Sequence, residues 1–132
     1  MSTRSPLLNF RSSSFAVEPG EDESTNPGIF GRALAARLGR ELLPSFDEAN
    51  IVPEDFGWLV AVPHTKHSLY IACASADGST TEWRVFVFAE GGLLARLLGK
   101  VNLEDAVDEL YARVKALLLA TPGISDVVEE RG

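Results

Sequence analysis

The stretch WLVAVPHTKHSLYIACASADGSTTEWRVFVFA, Trp58 to Ala89, carries three strand-like runs separated by turn signals. Trp58 to Val62 puts Trp58, Val60 and Val62 on one face of a strand, and His64-Thr65-Lys66-His67 is the expected turn. Ser68 to Ala74 reads as the next strand. Asp77-Gly78, followed by Ser79, Thr80 and Thr81, marks a second hairpin of longer loop. Glu82 to Ala89 is the third member, with Trp83, Val85 and Val87 on one face and Arg84, Phe86 and Phe88 on the other. Apolar residues on both faces indicate a central strand, or one whose second face is covered by another element or a partner.

Downstream of this meander, Gly91-Gly92 breaks the pattern, and Leu93, Leu94, Leu97 and Leu98 predict a short helix ending at Gly99. Asn102 then caps a final helix from Leu103 to Ala120, striped by Leu103, Val107, Leu110, Val114 and Leu117 or Leu118. Glu104, Asp105, Asp108 and Glu109 precede Arg113 and Lys115, the order that the helix dipole favours. Thr121-Pro122-Gly123 ends that helix, and Ile124 to Glu130 fits either an edge strand or a last helical turn. Upstream, Ser45 to Gly57 is turn-rich, with Phe46, Ile51, Val52 and Phe56 expected to tuck under the fold.

Asn26 at the N-cap and Pro27 at the first helical position open a helix expected from about Pro27 to Leu43. Phe30, Leu34, Leu38 and Leu42 recur along it, and Pro44 stops it. Ser13 to Val17 fits a short strand ending at Glu18-Pro19-Gly20, after a partly mobile segment over residues 1–12. The expected fold is therefore α+β, a two-layer sandwich with a mostly antiparallel sheet of about four strands. Its order is strand, helix, three-strand meander, helix, with the helices on one face.

The chain has 132 residues, the length of one ordinary domain, here read as residues 13–130. Nineteen acidic against 12 basic side chains give a formal net charge of −7, which opposes binding to nucleic acid or to an anionic membrane. The single cysteine, Cys73, excludes a disulfide within the chain and agrees with a reducing compartment. No signal-peptide core or long apolar run is present, so the expected location is the cytoplasm.

No residue carries a strong catalytic signature, and no cofactor or metal is expected. His64 and His67 lack the further ligands of a metal site and read as solvated turn residues. Cys73, in a strand with Leu69 and Ile71 on its face, reads as a small buried hydrophobe rather than a nucleophile. Glu18, Glu21, Asp22 and Glu23 lack the ligand alternation of a calcium loop. Adjacent Glu54 and Asp55 point in different directions on an extended chain, which weakens them as an acid pair. Phosphate-cradling and nucleophile-elbow motifs are absent.

Two segments read more sharply: Asn26-Pro27-Gly28-Ile29-Phe30-Gly31-Arg32 and Glu54-Asp55-Phe56-Gly57-Trp58. Together they resemble the paired N-P-G-x-F-G-R and E-D-aromatic-G-W motifs of a family of small uncharacterised bacterial proteins. The resemblance covers Phe15 to about Val114 and implies a compact bacterial domain without bringing an activity. On the residues themselves, Gly31 permits close packing and Gly57 a bend at the strand entrance. Arg32 is expected to pair with Glu54 or Asp55, and Trp58 to be anchored beside them near the first helix.

The functional expectation is a small acidic, non-catalytic protein-interaction module with a basic partner, as an immunity protein, antitoxin or inhibitor would be. The alternative is a small-molecule-binding or enzymatic domain with an aromatic pocket between sheet and helices, lined by Trp58, Tyr70, Trp83 and Phe86. The residues expected to bind are Arg32, Glu54, Asp55, Trp58, Tyr70, Trp83 and Arg84. A homodimer formed through the sheet is compatible with either and would account for the two apolar faces of Glu82 to Ala89.

Overall fold

Trp83, Val85, Val87 and Ala89 alternate inward along a strand that lies well inside the sheet. The structure, a computed structural model, describes residues 3–63, 68–90 and 93–130. Its elements are β1 (Thr3–Arg4), β2 (Leu7–Arg11), α1 (Arg32–Leu42), β3 (Ile51–Glu54), β4 (Gly57–Val62), β5 (Ser68–Ser75), β6 (Glu82–Glu90), α2 (Leu93–Ala120) and β7 (Ser125–Glu130). The strands form one antiparallel sheet in the order β3-β4-β5-β6-β2-β7, and β1 continues the β2 position along β6.

Among the described residues the sheet is thus six strands wide, not the four expected, and three segments account for the difference. Leu7–Arg11, placed in the segment expected to be mobile, is a ladder strand because Leu8 and Phe10 alternate into the core. Residues 13–17, expected as that strand, are irregular; Phe15 instead plugs the core edge-on against Phe10 and Trp83. Ile51–Glu54 is an edge strand despite Pro53, a residue tolerated where one side of the backbone needs no ladder partner. Ser125–Glu130 closes the opposite edge against β2.

Both helices cover the same face. Leu34, Ala35, Leu38 and Leu42 of α1, with Val107, Leu110, Val114 and Leu118 of α2, join one core with Trp58, Val60, Leu69, Ile71, Cys73, Trp83, Val85 and Val87. Trp83 is 1% exposed and donates its indole N–H to the Ser12 carbonyl at 3.0 Å, so its polar atom is satisfied at full burial. Arg113 reaches back to cap α1, donating to the Leu42 carbonyl at 2.7 Å.

Helix positions also differ from expectation. Gly99 and Asn102 lie inside the single helix α2 rather than between two helices. Helix α1 starts at Arg32, because Gly28 and Gly31 take positive φ angles of 82° and 147° that no helical turn uses. Asn26 is not its cap: the Asn26 amide donates to the Asp55 carbonyl at 3.0 Å. The capping group is Glu21, a buried carboxylate ten residues upstream. Its Oε2 accepts from the N–H groups of Gly31 (2.7 Å) and Arg32 (3.0 Å), and its Oε1 from Glu18 N–H (3.2 Å). A carboxylate facing the positive end of a helix and saturated by backbone donors is favourable even when buried.

Glu21→Ala is therefore expected to lower the free energy of unfolding by about 2 kcal/mol, leaving the buried Gly31 N–H and two part-buried donors without their carboxylate acceptor. Glu21→Gln, which keeps an acceptor and loses the charge, should cost less. Urea denaturation followed by circular dichroism measures both.

Candidate functional site

Strand β5 exchanges partners at its C-terminal end, and the two glycine motifs meet there. Trp58 of β4 pairs with Cys73, but at Ser75 the backbone bond passes to Phe30, whose carbonyl accepts from Ser75 N–H at 2.9 Å. The Ser75 hydroxyl accepts from Phe30 N–H at 3.0 Å and donates to the Gly28 carbonyl at 2.8 Å. Gly31 and Gly57 flank this handover from either side. A Cβ on either would stand 2.7 Å or 2.6 Å from the Cys73 carbonyl oxygen, closer than any side chain is tolerated. The Asn26 to Asp55 hydrogen bond joins the two motifs a second time.

Arg32 and Trp58 sit over this corner. The Arg32 guanidinium lies 5.7 Å from the centre of a Trp58 ring and makes a half-exposed ion pair of 3.7 Å with Glu48. The expected partners Glu54 and Asp55 make no ion pair with it; Glu54 ends β3 in solvent and Asp55 contributes its carbonyl to Asn26. Trp58 is 6% exposed, and its indole N–H has no acceptor among the described residues. An ion pair this exposed contributes under about 1 kcal/mol, so the glycine contacts and not Arg32 fix the corner.

The remaining residues expected to bind fall elsewhere. Strand parity puts Trp58 and Trp83 on the helix-covered face, and Tyr70, Arg84 and Phe86 on the opposite, open face. No pocket between sheet and helices can therefore be lined by all four aromatic residues. Arg84 faces Asp77 at 3.9 Å. His64 and His67 lie outside the described residues. Among the described residues, no group of three or more His, Cys, Asp or Glu side chains is placed to hold a metal ion, and no helix is long and apolar enough to cross a membrane.

The open face holds what sequence reasoning missed. Leu59, Ala72 and Phe88 form a second small core there, against which Tyr70 and Phe86 pack. Phe56, in the β3–β4 turn, lies across this face of the sheet against β6 rather than under the fold. Its ring stacks on Phe86 (centroids 6.3 Å apart, planes at 27°) and meets Phe88 at 6.3 Å. Tyr70 stacks on Phe88 at 5.1 Å, and Phe86 and Phe88 lie 5.8 Å apart.

The Arg4 guanidinium sits 4.5 Å above the Phe86 ring. Phe56 is 48% exposed, so this cluster reaches solvent. Arg4, Phe56, Phe86, Phe88 and Glu90 line a cavity of about 400 Å³ on the face. The only prior sign of it in the sequence is the apolar character of Phe86 and Phe88 on the second face of their strand.

Comparison with protein-family models, curated proteins and solved structures returns no match.

Cys73 is fully buried, and desolvation pushes its thiol well above the ordinary value. It is thus a packing residue at neutral pH. Unfolding exposes a thiol that ionises above about pH 8.5, whereas the folded thiol stays protonated, so stability falls as pH rises beyond that point. The expected slope from this group is about 1.4 kcal/mol per pH unit, and it should vanish in Cys73→Ala when urea midpoints are compared from pH 8 to 10. Gly31→Ala, strained in φ and pressed on backbone, should lose at least about 2 kcal/mol by the same assay.

Proposed function

We propose that this protein is a small non-catalytic binding module, acting in the cytoplasm, that engages a protein partner through the open face of its sheet. The observation that carries this reading is the cluster of Phe56, Tyr70, Phe86 and Phe88 on the face that neither helix covers. An antiparallel sheet packed on one side ordinarily turns polar residues to water on the other. Exposed aromatic groups at the centre of a surface, ringed by charge, are the usual anchors of protein interfaces.

The edges of the sheet favour the same conclusion. Pro53 interrupts the donor row of β3, and Asp126, Glu129 and Glu130 load β7 with like charge. Both devices oppose strand addition, which leaves the face as the place of association. A net charge of −7 favours encounter of the whole molecule with a basic partner. An immunity protein, antitoxin or inhibitor works in this way, by covering a cationic surface without chemistry of its own.

The test compares wild type with the double variant Phe56→Ser/Phe86→Ser by affinity capture from host lysate and by light scattering. Glu41→Ala, on the outer side of α1, serves as a control. A basic protein captured stoichiometrically by wild type and control, and reduced at least about tenfold by the double variant, supports the reading. Capture indifferent to the face, no captured protein, or a wild-type homodimer that the double variant dissolves overturns it.

A further inference from the structure

We infer that the cavity on the open face is a receptor for a cationic side chain, an arginine of the protein partner, and that the chain's own Arg4 holds that seat in the free protein. This rests on the reading of the open face as a docking surface and specifies what the partner must present there.

Three observations carry it. The first is that a guanidinium already covers the Phe86 ring in the cavity wall: Arg4, itself one of the lining residues, lies 4.5 Å above the ring, within the range where the negative face of an aromatic ring attracts a cation. The second is the composition of the walls. Phe56, Phe86 and Phe88 offer π faces and Glu90 a carboxylate, the pairing that satisfies a planar cation on both its face and its donor edge. Glu90 follows Phe88 by two residues along β6 and so stands on the same face. The third is charge: an excess of seven acidic residues makes a cationic anchor the one the whole molecule attracts.

The backbone beneath Arg4 is fixed, whereas its side chain is exposed. Ser5, next in sequence, is buried; its N–H donates to the Val87 carbonyl at 2.8 Å and its hydroxyl accepts from Val87 N–H at 2.9 Å. β1 therefore stays paired with β6 when the exposed Arg4 side chain swings out, and an incoming arginine meets a preformed floor. Exchange replaces one exposed cation–π contact by another that Glu90 can reinforce. Arg4 acts as a competitor whose removal raises the vacant fraction of the site.

The experiment titrates N-acetyl-arginine amide, and its neutral isostere N-acetyl-citrulline amide, into the isotopically labelled full chain. Amide chemical shifts are followed for wild type, Arg4→Ala and Glu90→Gln. Saturable shifts at Phe56, Phe86, Phe88 and Glu90 are expected with the arginine compound. Arg4→Ala should bind it roughly two- to fivefold tighter than wild type. Glu90→Gln should bind it at least about threefold more weakly.

Citrulline amide binding as well as arginine amide, an absence of saturable shifts in Arg4→Ala, or shifts centred away from these residues overturns the inference. Because no partner protein is used, a cavity that takes arginine while lysate capture ignores the face would sink the docking reading, and with it the partner as the source of the arginine, but not the seat's chemistry. The reverse result would sink only the arginine seat.

Discussion

The carbonyl group of Cys73 is the point on which the arrangement turns. Two backbones must pass within contact distance of it, one entering α1 at Gly31 and one entering β4 at Gly57, and no side chain fits between either and the oxygen. That crowding exists because β5 outlasts β4 and takes Phe30 as its next partner. With the crossing fixed, α1 is aimed along the helix-covered face, with Glu21 at its mouth in place of a local cap. The β3–β4 turn is aimed the other way and carries Phe56 onto the open face. The packing of α1 on one side and the aromatic cluster on the other are thus set by a single close approach.

How much of this could be read in the residues depends on the range of the interaction. The meander was legible because alternation is a local property, and Trp83, Val85 and Val87 announce their shared face without reference to anything distant. The two glycine motifs were legible as special, and the role of Gly31 in close packing follows from its lack of a Cβ. The width of the sheet was not. Pro53 and the acids of β7 mark edge strands by suppressing the very propensities that identify strands, while Leu7–Arg11 is too short, amid serines and arginines, to outweigh its flanks. The start of α1 was misplaced for a related reason: Asn26 and Pro27 form an ordinary local cap sequence, but a carboxylate from Glu21 offers the orphan donors a better, non-local solution.

The candidate site divides the same way. Parity along one strand separates Phe86 from Trp83, and along another separates Tyr70 from Ile71. Which of those faces the helices cover is a tertiary fact, so a pocket assembled from Trp58, Tyr70, Trp83 and Phe86 mixes two sides of one sheet. Arg32 was expected to find an acid at the corner; it finds Glu48, brought near by a short turn, and the ring of Trp58. Phe56 illustrates the limit most clearly. An aromatic residue in a turn is ordinarily placed in the core by hydrophobicity alone, and here Phe86 and Phe88 give it a packing surface on the solvent side.

The position of β2 has a consequence for how the chain is made. It lies between β6 and β7, so each of its ladder partners is synthesised long after it, and among the described residues β7 has no other neighbour in the sheet. During synthesis Leu8 and Phe10 precede both of their ladder partners, and the hairpins β3-β4-β5-β6 can form before β7 is made. Completing the sheet then requires β2 to pair with both β6 and the much later β7, long-range steps of the kind that slow folding. Until β2 pairs with it, β6 presents an unpaired edge beside its apolar rings, and the nascent chain is at its most adhesive.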